Sequence, residues 1–296
     1  WRAVVWPSAL IGSAALIAFV AMIVRQTRGK PFQRRRIVRG YLFASPWFIG
    51  VALFMVGPIF VSLVYSCCDY QITTPARWIG ATNYGDMLFR DPLFWKSLWN
   101  TVYYTVFAIP LGLGIGLGLA LLLNQKLRGM NFFRTVFYLP TLVTGVAVSA
   151  LWLWLLNPEH GPVNRIIELV NLLPGIDGLR APLWLNDEHW SKPALILMGL
   201  WGAGGSMIIF LAGLQSIPNQ LYEAAAMDGA GEWRKFTSVT IPMLTPTIFF
   251  LIVMGIIGSF QVFTQAYVVS GGMGGPLDST LFYVLYLYRR GFEDFY

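Results

Sequence analysis

Charge is what this chain has least of. Asp, Glu, Lys and Arg make up 12% of its 296 residues, against 56% apolar and 16% aromatic, and its mean hydropathy is +0.60. That balance excludes an ordinary soluble domain and leaves a polytopic membrane protein. Histidine is nearly absent too. The two present, His160 and His189, lie in loops beside Glu159 and Glu188, with no H-E-x-x-H and no cysteine cluster, so both read as solvated loop residues and not as a metal site. Cys67 and Cys68 are the only cysteines, and a bridge between neighbours has unusual geometry, so no disulfide framework is inferred. A G-x-S-x-G motif is missing, and no acid sits deep in an apolar run to act as a proton relay. These absences argue against an intramembrane hydrolase and a proton-coupled carrier.

What the chain does have is long apolar runs. A helix needs about 20 residues to cross a hydrocarbon core of roughly 30 Å. Runs at 3–24, 41–66, 98–123, 135–156 and 243–269 meet that length, and 193–214 does so despite Gly199, Gly202, Gly204 and Gly205. None shows the period-2 alternation of a barrel strand, so the expected fold class is all-α, a polytopic transmembrane helical bundle. Arg25, Arg28, Lys30, Arg34, Arg35, Arg36 and Arg39 supply seven of the 21 basic residues in one acid-free stretch. Under the positive-inside rule that loop is cytoplasmic, as is the loop carrying Lys126, Arg128 and Arg134. The loops 67–97 and 157–192 carry as many acids as bases or more and are expected outside. By alternation, 215–242 is then cytoplasmic. The net charge of +7 is explained by this juxtamembrane basic loop and by the lipid bilayer, not by a nucleic acid.

Glycines mark two further places. Gly112, Gly114, Gly116 and Gly118 form small-x-x-x-small pairs at 112/116 and 114/118, the pattern that lets another helix approach closely. The run Gly271 to Pro276 lacks the Lys-Ser/Thr of a phosphate loop and reads as a mobile outer turn. Polar side chains in an apolar span need a cavity or a partner helix, which makes Ser259, Gln261 and Gln265 candidates for a solute path. Gln261 and Gln265 would share a face at i, i+4, and a carboxamide both donates and accepts without charge, as a hydroxyl-rich solute requires. Interhelical bonding would use the same groups.

The most informative segment is 216–246, SIPNQLYEAAAMDGAGEWRKFTSVTIPMLTP, a polar hairpin between two apolar spans. Pro218 can open a helix, and Gly229 and Gly231 can end one with a positive φ. Leu221, Ala224, Ala225 and Asp228 share a face at i, i+3, i+4 and i+7. The spacing of Glu223-Ala224-Ala225, Asp228-Gly229-Ala230, Phe236 and Ile241-Pro242 resembles the EAA loop of ABC importer permeases. The run from Phe210 to Ala225, Phe260-Gln-Val-Phe263, Gly271 to Pro276 and Tyr288-Arg-Arg-Gly-Phe292 are similar to the carbohydrate-importing branch.

This resemblance implies the type I permease fold and a membrane-spanning subunit that imports a sugar or sugar-like polyol without being an enzyme. ATP and Mg would be bound by separate ABC ATPase subunits, with no cofactor on this chain. The further partners implied are a second permease subunit and an extracytoplasmic solute-binding protein, in the inner (plasma) membrane. Leu221, Ala224 and Ala225 would fill the ATPase groove, Gly229 would make the turn, and Glu223 and Asp228 would give charged or capping contacts. Two parts are expected: an extra helix with a basic linker at 1–40, and a permease core at 41–296 that lacks its final helix. If the native chain starts in the cytoplasm, another span would precede Trp1. A self-contained secondary transporter is the alternative, and it would require ionisable or broken-helix ion sites near the midplane. A membrane scaffold without a solute would leave the coupling-loop spacing unexplained.

Overall fold

The structure is a computed structural model and describes residues 34–70, 75–125, 127–171 and 181–293. The expected span at 3–24 and most of the basic run lie outside the described residues, so the boundary expected at residue 40 has no structural counterpart here. Two compact units divide between Arg90 and Asp91.

The first unit contains α1 (Arg34–Val51), a π-helical turn (Ala52–Val56) and α2 (Gly57–Tyr65). Together Val38–Tyr65 is long and apolar enough to cross a bilayer. Its surface carries bare aromatics such as Phe43, 91% exposed, and Phe54, 84% exposed, which only lipid or a partner could cover. The π turn has a local cause. Pro58 has no N–H to donate into the helix, and the Gly57 N–H reaches back to the Ala52 carbonyl instead. A two-stranded antiparallel ladder follows, β1 (Cys68–Asp69) with β2 (Arg77–Trp78), pairing Cys68 with Trp78 and Asp69 with Arg77. Next comes α3 (Thr82–Phe89). The Asn83 amide donates to the Ser66 and Cys68 carbonyls, both at 3.0 Å, and fastens this helix to the ladder. Cys67 and Cys68 are both free thiols.

The second unit is built on α4 (Pro92–Leu123). Asp91 caps it by accepting the Leu93 N–H at 2.9 Å, and Pro92 occupies the first turn, where a missing N–H costs nothing. Next in the chain are α5 (Met130–Tyr138), a 3-10 turn (Leu139–Leu142) and α6 (Gly145–Leu155). The loop after α6 contributes α7 (Pro162–Val170). Then come α8 (Ser191–Leu200), α9 (Gly204–Ser216), α10 (Asn219–Met227) and α11 (Glu232–Lys235). A second π turn (Phe236–Thr240) leads into α12 (Ile241–Phe260), followed by α13 (Thr264–Ser270) and α14 (Tyr283–Tyr288). The second π turn repeats the logic of the first, since Pro242 follows it and the Ile241 N–H bonds the Phe236 carbonyl.

Two expected spans are bent. The pair Met130–Leu142 and Gly145–Leu155 meets at 97°, where Pro140 and an extended Thr144 interrupt the helical bonding. Ser191–Leu200 and Gly204–Ser216 meet at 46°, and there the tighter bonds Gly202 N–H to Gly199 carbonyl and Ala203 N–H to Leu200 carbonyl replace the α pattern. The core lies where α4, α9 and α12 meet, with Ala120, Leu123, Met207, Phe210, Leu214 and Leu244 buried together. One of the two glycine pairs on α4 serves that contact. A side chain at Gly116 would strike Ser206, and one at Gly112 would touch Leu200 at 3.8 Å, whereas Gly114 and Gly118 face open space.

The glycine loop after α13, expected to be a turn, is one whose ends are tied into the bundle by hydrogen bonds. The Gly274 N–H donates to Ser270 Oγ (3.0 Å), Thr280 Oγ1 donates to the Gly275 carbonyl (2.7 Å), and Ser279 and Thr280 are buried. From α4, the Asn100 amide donates to the Asp278 and Leu281 carbonyls, at 2.8 and 3.0 Å. Beyond the loop, the Tyr286 hydroxyl and the Arg290 guanidinium both reach Asp91. Burial pushes the Asp91 carboxyl up. The hydrogen bonds from Tyr286, Arg290 and the Leu93 N–H, with the Arg290 charge, outweigh burial and hold it below the usual carboxylate range.

Candidate functional site

The hairpin between α9 and α12 has one face fixed and one face bare. It opens where Ile217 and Pro218 turn extended, so Pro218 is the N-cap and Asn219 the first helical residue, one position later than a proline opening the first turn. It closes with a Schellman motif around Gly229, at φ +75°. The Gly229 N–H bonds the Ala226 carbonyl (3.0 Å) and the Ala230 N–H bonds the Ala225 carbonyl (2.9 Å). Gly231 does not share this role. At φ −67° and ψ 170° it is extended and caps the start of α11, where Glu232 complements the helix dipole and pairs with Lys235 at 2.8 Å.

On the inner face the Tyr222 hydroxyl shares a 3.0 Å hydrogen bond with Thr240, and Ile217, Tyr222 and Val239 pack into the α4–α9–α12 core. Of the four residues expected on one face, Leu221, Ala224 and Asp228 are exposed, while Ala225 turns partly inward. Leu221 is 39% exposed, and with it Met227 (86%) and Trp233 (76%) form the bare apolar surface. Met227 and Trp233 were not singled out in the sequence. Their signal was there, two large apolar side chains flanking the Asp228-Gly229 turn, but at positions outside the helical period. Glu223 and Asp228 are exposed as well, and neither carboxylate has a partner among the described residues. Asp228 ends α10, where the helix dipole disfavours an anion, so it does not serve the helix it terminates.

The solute-path candidates separate. Ser259 is 7% exposed and lines an open cleft of about 340 Å³ between α4, α8, α9 and α12. Gln261 and Gln265 do not line it. The i, i+4 pairing expected for them also fails, because α12 ends at Phe260, Gln261 is its exposed C-cap, and α13 begins only at Thr264. His160 and His189 are exposed, each with Nδ1 3.7 Å from a carboxylate, and no group of three metal-ligating side chains occurs among the described residues.

Apolar helices of membrane-crossing length, bent helix pairs and a polar hairpin anchored between two apolar helices define a polytopic membrane protein. Residues 108–289 match the family described as "binding-protein-dependent transport system inner membrane component". The chain is 41% identical over 263 residues to the probable ABC transporter permease protein YesP of Bacillus subtilis, covering 88% of this chain and 83% of the relative. It is 36% identical over 260 residues to the lactose transport system permease protein LacF of Rhizobium radiobacter, covering 86% and 84%. Its fold matches a chain in the crystal structure of a bacterial ABC transporter that imports the acidic polysaccharide alginate, with a TM-score of 0.67, 26% identity and coverage of 88% and 87%. The chain belongs to the binding-protein-dependent inner membrane component family, the permeases of ABC importers. That membership leaves no place for a self-contained secondary transporter.

Proposed function

We propose that this chain forms part of the solute path of an importer for a sugar or sugar-like polyol, and that the 218–242 hairpin is where ABC ATPase subunits take hold. ATP and Mg are bound by those subunits. A second permease subunit completes the path, and an extracytoplasmic solute-binding protein delivers the solute, as the family's name and the lactose permease relative suggest. The hairpin faces the cytoplasm of a cell whose inner (plasma) membrane holds the spans, in keeping with the charge alternation of the loops.

The observation that carries this reading is the contrast between the hairpin's two faces. Tyr222 and Thr240 lock the inner face to the core, while Leu221, Met227, Trp233, Glu223 and Asp228 are bare. Exposed large apolar side chains on the same hairpin as exposed, unpaired carboxylates suit a partner interface, apolar for affinity and charged for register. Closure of the ATPases would move the hairpin, and its inner face would carry the motion to α4, α9 and α12 as a rigid-body switch. The test is assembly. Trp233→Ala is expected to weaken ATPase association by about 2 kcal/mol, roughly thirtyfold in Kd, by surface binding to the permease in detergent or nanodiscs. Unchanged affinity would remove Trp233 from the interface.

A further inference from the structure

Tyr104 is buried to 6% exposure on α4, and its ring meets Phe282 edge to face at 5.4 Å. Its hydroxyl has no hydrogen-bond partner among the described residues, and Tyr104 lines the 340 Å³ cleft. The oxygen is not among the fully buried, unpartnered polar atoms of the described residues, so it keeps access to the space it lines, where a ligand can reach it. Space is kept for it. A Cβ at Gly199 on α8 would lie 2.7 Å from the Tyr104 oxygen.

Two other hydroxyls line the same cleft. Ser259 is 7% exposed and likewise unpartnered, while Ser206 Oγ donates to the Ala203 carbonyl at 2.9 Å and keeps its lone pairs. The remaining walls are apolar or glycine, among them Ile109, Leu113, Leu200 and Leu251, with no charged side chain. A volume near the lower end of the roughly 300–1,000 Å³ range of ligand pockets fits a small solute.

We propose that Tyr104 is a solute-contacting residue, its hydroxyl joining those of Ser206 and Ser259 in a site for a neutral hydroxylated ring, a step that rests on the transport reading above. Hydroxyls that donate and accept without charge match sugar hydroxyls, and apolar walls match the C–H faces of the ring. A phosphate, sulfonate or carboxylate would find no cation among the residues that line this open cleft.

The test uses the complete transporter in proteoliposomes with a panel of ¹⁴C-labelled neutral mono- and disaccharides and sn-glycerol 3-phosphate. The wild-type complex is expected to take up a neutral member. Tyr104→Phe is expected to raise KM for it roughly three- to tenfold, the effect of one lost hydrogen bond, with Vmax within twofold. Copurification of the ATPase subunits at wild-type yield confirms that the variant assembles. Gly199→Ala, which displaces the hydroxyl without removing it, is expected to shift KM in the same direction. An unchanged KM in Tyr104→Phe would overturn the contact, and uptake of sn-glycerol 3-phosphate alone would overturn the neutral class. ATP-dependent uptake of no member by an assembled complex would instead overturn the transport reading, and the site with it.

Discussion

Gly229 is the residue at which the backbone leaves least choice. Its φ of +75° lies in the left-handed region, which costs an L side chain about 1–2 kcal/mol and is worst for a β-branched one. Open space surrounds the position, so the strain is purely conformational. Gly229→Val is expected to insert into the membrane normally, lose the closing bonds of α10 and uncouple ATP hydrolysis from uptake. Parallel measurement of ATPase rate and uptake checks it, and normal uptake would sink the assignment of the turn. At this scale the sequence was legible where a backbone rule applied, as in the turn at Gly229. Met227 and Trp233 were hidden because periodicity separates the two faces of a helix but cannot say which face a tertiary neighbour covers. Here Tyr222 took the inner face through its bond to Thr240.

Among elements, α4 shows how a repeated motif can serve two surroundings. Gly116 admits α9, since a Cβ there would crowd Ser206 and come within 3.3 Å of the Met207 backbone nitrogen, while Gly118 faces open space. Gly116→Val is expected to destabilise the α4–α9 contact by about 1–3 kcal/mol, the range for overpacking, and Gly118→Val to leave the chain's own fold intact. Thermal unfolding in detergent compares them. The N-terminal end of α4 carries a pH dependence through Asp91. Its carboxyl is held below the usual range in the folded protein, so it adds stability above its ordinary pKa of about 4, and this is lost as pH falls through the depressed folded value. Asp91→Asn is expected to lower the melting temperature at neutral pH and to flatten the loss of stability on acidification. An equal acid response in the variant would place the titration elsewhere.

The existence of the spans was legible in their apolar runs, because lipid demands an unbroken helix of fixed length. The breaks within them were not. Pro58, Pro140 and Pro242 sit at or beside interruptions, yet Pro110 lies inside an unbroken α4, so proline alone does not locate a break. Gln261 and Gln265 were paired on the assumption of continuous helix, and the end of α12 at Phe260 separates them.

Taken as a whole, the second unit ties its most exposed polar segment to its most buried apolar one. Ile217, Tyr222 and Val239 belong to the hairpin, and they pack with Leu123, Phe210 and Leu244 from α4, α9 and α12. The cleft lined by Tyr104, Ser206 and Ser259 lies between helices of that same bundle. A force on the hairpin would therefore reach this cleft through packed side chains that resist compression, not through a flexible tether. The spacing of the hairpin was read from the sequence; the packing of its base on the core was not.

The central claim is that the bare face of this hairpin holds the ATPase. The direct measurement is copurification from membranes in mild detergent, comparing the wild-type chain with Glu223→Lys. Glu223 is exposed and makes no hydrogen bond or ion pair among the described residues, so reversing its charge is expected to leave the permease fold intact. The account predicts that an ATPase subunit accompanies the wild-type chain and is lost from the variant at equal permease yield. Equal ATPase recovery with both chains, or none with the wild-type chain under conditions that keep other importers intact, would contradict it.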